Sequence, residues 1–354
     1  MWRDPLSLDG RRALRLPGDL RLAMHNLAAA GALLLALTAA VGVSLATGVT
    51  EIEWASVWRA GPDGSDAQAF ALWQVRLPRV LLAVMAGWCL AVTGAALQST
   101  ARNPLADPGL LGISQGAAVA ILLTMVTAPA WAAGMGLSAA AMGGALAAAL
   151  ALAALTRGSS AGGLVLVLMG IALESALSAV TGILLLYAPA EASLSLSRWM
   201  AGSLDQANSR TALALLPWVL ASLLALPALG RRLRSHELGD ALAQALGEDV
   251  RRSRTAVLLA AVLLTAVTLP AVGPLMFLGI MAPHVAGALS PATGGMRLLL
   301  SGLMGALLLV GADCLTRAAV SAGTLPVGLS LALIGVPLFL LVLRLRKLRS
   351  ARMS

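Results

Sequence analysis

Long stretches without one charged side chain dominate this sequence. Leu27 to Thr47 is such a run, and Val80 to Ala101 and Pro108 to Thr156 follow it. An apolar run of about 20 residues crosses hydrocarbon as a helix, because no water is present to satisfy its backbone polar groups. Composition points the same way. Of 354 residues, 59% are hydrophobic and only 12% are charged, about half the charged share of a soluble domain. The expected class is therefore an all-α, polytopic membrane protein.

The runs count to ten spans. Leu27 to Thr47 is longer than the roughly 7–15 apolar residues of a signal-peptide core, so it reads as a retained first span. Val80 to Ala101 is the second. Pro108 to Thr156 is long enough for two, broken near Ala128, Pro129 and Gly134 to Gly136. Leu164 to Ala188, with the single acid Glu174, and Thr211 to Gly230 make the fifth and sixth. Pro270, Gly273 and Pro274 divide Thr255 to Met296 into a seventh span and a shorter eighth. Leu298 to Ala312 opens the ninth, and Val327 to Leu343 is the tenth. The expected organisation is a cytoplasmic tail over 1–26, a ten-helix domain over 27–344 and a basic cytoplasmic tail over 345–354.

Charge sets the orientation. With the N-terminus inside, all but six of the 25 basic residues fall on the cytoplasmic side, as the positive-inside rule requires. The six outside are Arg59, Arg76, Arg79, Arg198, Arg210 and Arg317. The net charge of +9 thus faces membrane lipid, and with aromatics at 3% and no basic helix or stacking pattern, nothing suggests nucleic acid. Lys347 is the sole lysine, and Arg346 and Leu348 flank it, so the chain has no phosphate-cradling P-loop. Cys89 and Cys314 lie in apolar runs and read as small packed hydrophobes. The segment from Arg231 to Arg254 is the longest cytoplasmic connection and reads as one or two short helices. It either docks a partner or is a solvated basic connector.

Several motifs in one order carry a resemblance. Arg76-Leu-Pro-Arg79 is followed by Gly87, Gly94, Gln98, Arg102-Asn-Pro-Leu-Ala-Asp-Pro108, Leu111-Gly-Ile-Ser114 and Gly116-Ala117. Farther on stand Gly273-Pro274, Phe277, Gly279, Pro283-His284, Ala312-Asp313, Arg317, Leu325-Pro-Val-Gly328 and Gly335-Val-Pro337. Together they resemble the FecCD family, the iron-chelate, haem and cobalamin permeases of binding-protein-dependent ABC importers. The resemblance implies a type II importer fold, a permease homodimer, two copies of a cytoplasmic ABC ATPase and an external substrate-binding protein. It implies no bound cofactor or metal and no enzymatic chemistry in this chain, ATP being used by the partner.

The resemblance also assigns roles. Arg76, Arg79 and Arg317 match positions that meet acidic residues of the binding protein, a task suited to the always-charged, forked guanidinium. Alternatively, Arg76 and Arg79 anchor the second span at the interface, and Arg317 pairs with Asp313 one turn earlier. Asn103 and Leu105 match the cytoplasmic gate, with Ser159 and Ser160 aligned more loosely. Leu238, Gly239, Asp240, Leu242, Leu246 and Gly247 resemble the loop that couples to the ATPase. Glu174 is a departure from the family pattern. It is either a polar wall of the translocation path or a packing residue, since an acid in lipid must face water or a partner. His284 has no second ligand at metal-binding spacing and reads as structural.

The favoured cargo is a ferric siderophore, with haem or cobalamin as alternatives. A secondary transporter using Glu174 and Asp313 as ion sites is the competing class. An intramembrane enzyme lacks a catalytic pair.

Overall fold

The computed structural model describes residues 3–4, 13–16, 20–48, 52–53, 61, 66–132, 136–156, 162–205, 207–319 and 325–351. Among the described residues, ten helices follow the expected spans. They are α1 (Met24–Ala46), α2 (Leu77–Ala101), α3 (Ile113–Thr127), α4 (Leu137–Leu155) and α5 (Gly162–Tyr187) in the first half. After a short α6 (Ala190–Met200) come α7 (Ser209–Leu238), a one-and-a-half-turn α8 (Asp240–Ala245), α9 (Val250–Val272), α10 (Leu278–Leu289), α11 (Gly294–Ala319) and α12 (Val327–Ala351). Among the described residues, seven helices are long and apolar enough to cross a bilayer, and three shorter apolar segments correspond to α3, α10 and α12.

The breaks lie where the backbone chemistry puts them. Gly273 at φ 69° ends α9, and Phe277, a non-glycine residue at φ 66°, turns the chain into α10. Polar residues inside the spans are neutralised locally. Thr265, Thr268 and Thr316 each donate a hydroxyl proton to the carbonyl four residues earlier, so these three hydroxyls are met within their own helices.

Two structural differences from the sequence reading stand out. The sixth span, α7, does not stop at Gly230 but runs through the basic residues to Leu238. The end of the hydrocarbon layer is not the end of the helix, because arginine is a good helix former whose charged head reaches water on its own stem. The connection to α9 is correspondingly shorter and holds one helix. In the N-terminal tail, for which the sequence suggests no structure, Arg3–Asp4, Ala13–Leu16 and Leu20–Ala23 form a small antiparallel 3-stranded sheet.

The helices sort into two groups. Around α2 lie α1, α7, α10 and α11, with α12 outside them, and their side chains share one apolar core. A second core joins α3, α4 and α6, and α9 contributes to both. Every residue of α2 from 85 to 100 is buried. Close approach makes that possible. A Cβ on Gly87 would stand 2.5 Å from the carbonyl oxygen of Gly305, and one on Gly94 would strike the backbone of Gly279. Small residues at crossings let helix backbones come together where no water drives them. Trp88 adds a polar tie, donating from Nε1 to Ser222 Oγ of α7 at 2.9 Å.

Candidate functional site

One end of the bundle carries the arginine motif. A wide π-turn over Ala71–Arg76 leads into α2 and sets Arg76 against the C-terminus of α1. Arg76 is buried, and its Nη1 donates to the carbonyls of Leu45 at 2.8 Å and Ala46 at 3.2 Å. Arg317, near the end of α11, reaches the same terminus, donating to the carbonyls of Ser44 and Thr47 at 3.1 and 3.0 Å and to the Ser44 hydroxyl. Cations belong there, because the last carbonyls of a helix lack intrahelical donors and carry partial negative charge.

Carboxylates complete the cluster. Asp313 is buried and meets Arg79 Nε at 2.8 Å and Arg317 Nε at 3.1 Å. Arg79 also holds Asp205, in the loop between α6 and α7, through Nη1 at 3.0 Å. The structure therefore brings Arg76, Arg79 and Arg317 together on one end, and engages each with groups of its own chain. The Asp313–Arg317 pairing weighed from the sequence is present. Arg198 and Arg210, on the same end, are exposed. Asp205 and Ser44 belong to this cluster and escaped sequence reasoning, since nothing local marks a partner more than a hundred positions away.

The opposite end carries the loop motif and the coupling segment. Arg102 closes α2 in the left-handed region at φ 49°, and the Asn103 N–H bonds back to Gln98 O at 3.2 Å. Asn103 Oδ1 then accepts from the Leu105 N–H at 2.9 Å, a side-chain turn that presents Leu105, 54% exposed, outward. Ser159 and Ser160 lie outside the described residues. Behind the turn, Asp107 is buried, and its Oδ1 has no hydrogen-bond partner. Burial pushes its carboxyl up to about 7, partly offset by a hydrogen bond from the Gly109 backbone.

The coupling segment is a braced unit. Gly239 at φ 98° and Gly247 at φ 84° bracket α8. Asp240 receives two hydrogen bonds from Arg254 Nη2, at 2.9 and 3.1 Å, and His236 meets Ser253 at 3.1 Å, so the chain on both sides of Gly239 is tied to α9. Ala243 of α8 is buried, whereas Leu238 at the end of α7, Leu242 within α8 and Leu246 just after it are exposed. Just before α8, Glu237 accepts from Ser99 Oγ at 2.8 Å and stands 3.6 Å from Arg297. Arg297 in turn donates to Gln98, whose amide donates to Gly279 O. The braced turn is thereby wired to α2, α10 and α11.

Glu174 lies halfway along α5 and is half-buried. Hydrogen bonds from Gln115 and the Gly112 backbone tie it to the start of α3, and its Oε2 is enclosed without a partner. The face of α5 that carries Ser175, Ser178 and Gly182 is exposed. His284 is structural in its contacts: Nδ1 is 2.8 Å from Ile280 O and the ring packs edge-on to Phe339. Among the described residues, no group of three or more His, Cys, Asp or Glu could hold a metal ion.

Comparison with known proteins gives one answer. The model of the FecCD transport family matches residues 33–345. The achromobactin transport system permease protein of Dickeya dadantii is 35% identical over 90% of this chain and 92% of its own length. The Fe(3+) dicitrate transport system permease protein FecC of Escherichia coli is 36% identical over 77% and 82%, and the hemin transport system permease protein of Yersinia pestis is 35% identical over 86% and 91%. A solved structure described as an inward-facing conformation of a metal-chelate type ABC transporter superposes with a TM-score of 0.77 at 26% identity, covering 89% of this chain and 98% of that one.

Proposed function

This chain belongs to the FecCD transport family, and on that premise we propose that it carries a ferric siderophore through the membrane. It is a multi-pass permease subunit of an ABC importer for iron chelates or haem in the bacterial cytoplasmic membrane, has the type II importer fold and catalyses no reaction itself. A separate ATPase and a substrate-binding protein complete the system. The observation that carries the siderophore reading is the run of relatives. The achromobactin, Fe(3+)-hydroxamate, Fe(3+) dicitrate and ferric enterobactin permeases all match at 33–36% identity over 77–90% of this chain. Haem is the second reading, supported by the equally similar hemin permease.

The geometry supports a division of labour. The exposed leucines in and beside α8 offer an apolar surface to the cleft of an ATPase, and the ties at His236, Asp240 and Glu237 convert a push on that surface into movement of α2, α9 and α11. Asn103 and Leu105 form the cytoplasmic gate at the turn after α2. Arg79, with Arg76 and Arg317 beside it, receives acidic side chains of the binding protein. The uncovered face of α5, near Glu174, lines the path and faces a second copy of the chain.

Uptake in proteoliposomes tests the cargo. The permease is reconstituted with its ATPase and binding protein and offered ferric hydroxamate, ferric catecholate, ferric citrate or haemin. ATP-dependent accumulation of one ferric siderophore, and not of haemin, is expected; accumulation of haemin alone would replace the siderophore with haem.

A further inference from the structure

Arg79 is held by two carboxylates of very different standing. Asp313, on its Nε side, is 1% exposed and shared with Arg317, whereas Asp205, on its Nη1, is 54% exposed. The inner pair cannot open without stranding a charge among apolar helices, a costly event. The outer pair opens easily, because water solvates the freed carboxylate and an exposed ion pair contributes little. Asp205 thus occupies the edge of the Arg79 guanidinium that faces away from the buried pair, and it occupies it weakly.

We propose that Asp205 is an internal stand-in for the acidic residue with which the substrate-binding protein docks at Arg79, so that docking is an exchange of one carboxylate for another. This rests on the docking role assigned to Arg79 above and adds what that role lacks, a residue that sets its threshold. The exchange has a route inward. Asp205 lies on the loop joining α6 to α7, where its own N–H donates to Ser203 Oγ at 3.0 Å. The Ser203 N–H donates to Val272 O at the end of α9, and the Gly328 N–H at the start of α12 donates to Gly202 O. Releasing Asp205 frees the outer edge of a loop whose inner edge is bonded to α9 and α12.

Binding of the purified substrate-binding protein of the same import system to the permease–ATPase complex in nanodiscs decides the matter. Asp205→Asn is expected to tighten binding about twofold to fivefold, the worth of one exposed ion pair. Glu191→Gln removes an exposed acid from the start of α6, an acid with no ion pair among the described residues. It raises the local charge by the same amount and is expected to change binding less. Equal tightening by both variants would reduce the effect to general attraction and overturn the stand-in role, as would unchanged or weaker binding by Asp205→Asn. Arg79→Gln separates the two readings. If it weakens binding tenfold or more while Asp205→Asn does nothing, the stand-in fails and docking at Arg79 survives. If it binds as the wild type does, docking at Arg79 fails and the stand-in falls with it. Should Arg79→Gln not assemble, Arg79→Lys keeps the charge without the fork, and the gain from Asp205→Asn should shrink in that background.

Discussion

Two helices of nearly equal length, α2 and α5, live in opposite surroundings. Residues 85–100 of α2 are buried without exception, wrapped by α1, α7, α9, α10 and α11, while most of the described α5 residues stand uncovered. Both are apolar enough to span a bilayer, so hydropathy alone cannot tell them apart. Their glycines do. Gly87 and Gly94 of α2 sit where another backbone passes, as Gly170 of α5 does against Leu110 and Leu111, whereas Gly182, farther along α5, has nothing within 4 Å. A small residue in a span marks a packing contact only when another helix is there to use it. The bare face of α5 is the one we propose to line the path and to meet a second copy of the chain.

The sharpest way to break this contrast is to add the same methyl group to both helices. Gly94→Ala drives a Cβ into the Gly279 backbone and should cost about 3 kcal/mol or more, read as loss of folded protein in fluorescence-detected gel filtration. Gly182→Ala should leave that profile unchanged and gain up to about 1 kcal/mol of helix propensity. A comparable loss at both sites would mean that α5 is as tightly packed as α2.

Next in size is the buried acid behind the α2–α10 crossing. Folded Asp107 keeps its proton up to about 7, whereas the unfolded chain releases it near the ordinary 3.8. The folded state binds more protons in that window, so stability falls as pH rises through it and is level above it. Thermal unfolding at pH 5 and pH 8 should show the wild type losing about 2 kcal/mol relative to Asp107→Asn. Parallel pH profiles for the two proteins would refute the buried-acid account. A smaller effect is expected at Ser222→Ala, which removes the acceptor of the Trp88 Nε1 hydrogen bond and should lower stability by about 1 kcal/mol with little change in packing.

The smallest stability change is expected on the open side, with a large functional one. Ser178→Leu on the exposed face of α5 should shift the melting temperature of the isolated subunit hardly at all, within about 0.5 kcal/mol. It should still lower ATP-dependent uptake severalfold in the assembled importer. Normal uptake would remove that face from both the path and the subunit contact.

How far the sequence carried depends on what kind of partner a residue has. Span positions were legible because a bilayer demands apolar length, which composition displays directly. The short helix α8 was legible in outline, since Gly239 and Gly247 punctuate it, but the end of α7 before it was not: Arg231 to Leu238 are compatible with helix and with connector alike. The arginine motif was visible, yet the burial of Arg76 was not, because its partners are backbone carbonyls that any sequence supplies. Asp205 and Glu237 were passed over for a different reason. Each acts across more than 120 positions of chain, on Arg79 and on Ser99, and one sequence holds no record of such pairings.

The grip of Arg76 and Arg317 on the end of α1 bears on how this protein can change over generations. On α1, apart from the Ser44 hydroxyl, both arginines hold carbonyl oxygens. Carbonyl oxygens are common to all residues, so the outer turn of α1 is free to drift in side chain while its attachment persists. What descendants must inherit is the length of α1 and the point at which it stops. An insertion of one residue there would turn the wrong carbonyls toward the guanidinium groups, a heavier burden than almost any substitution at the same place.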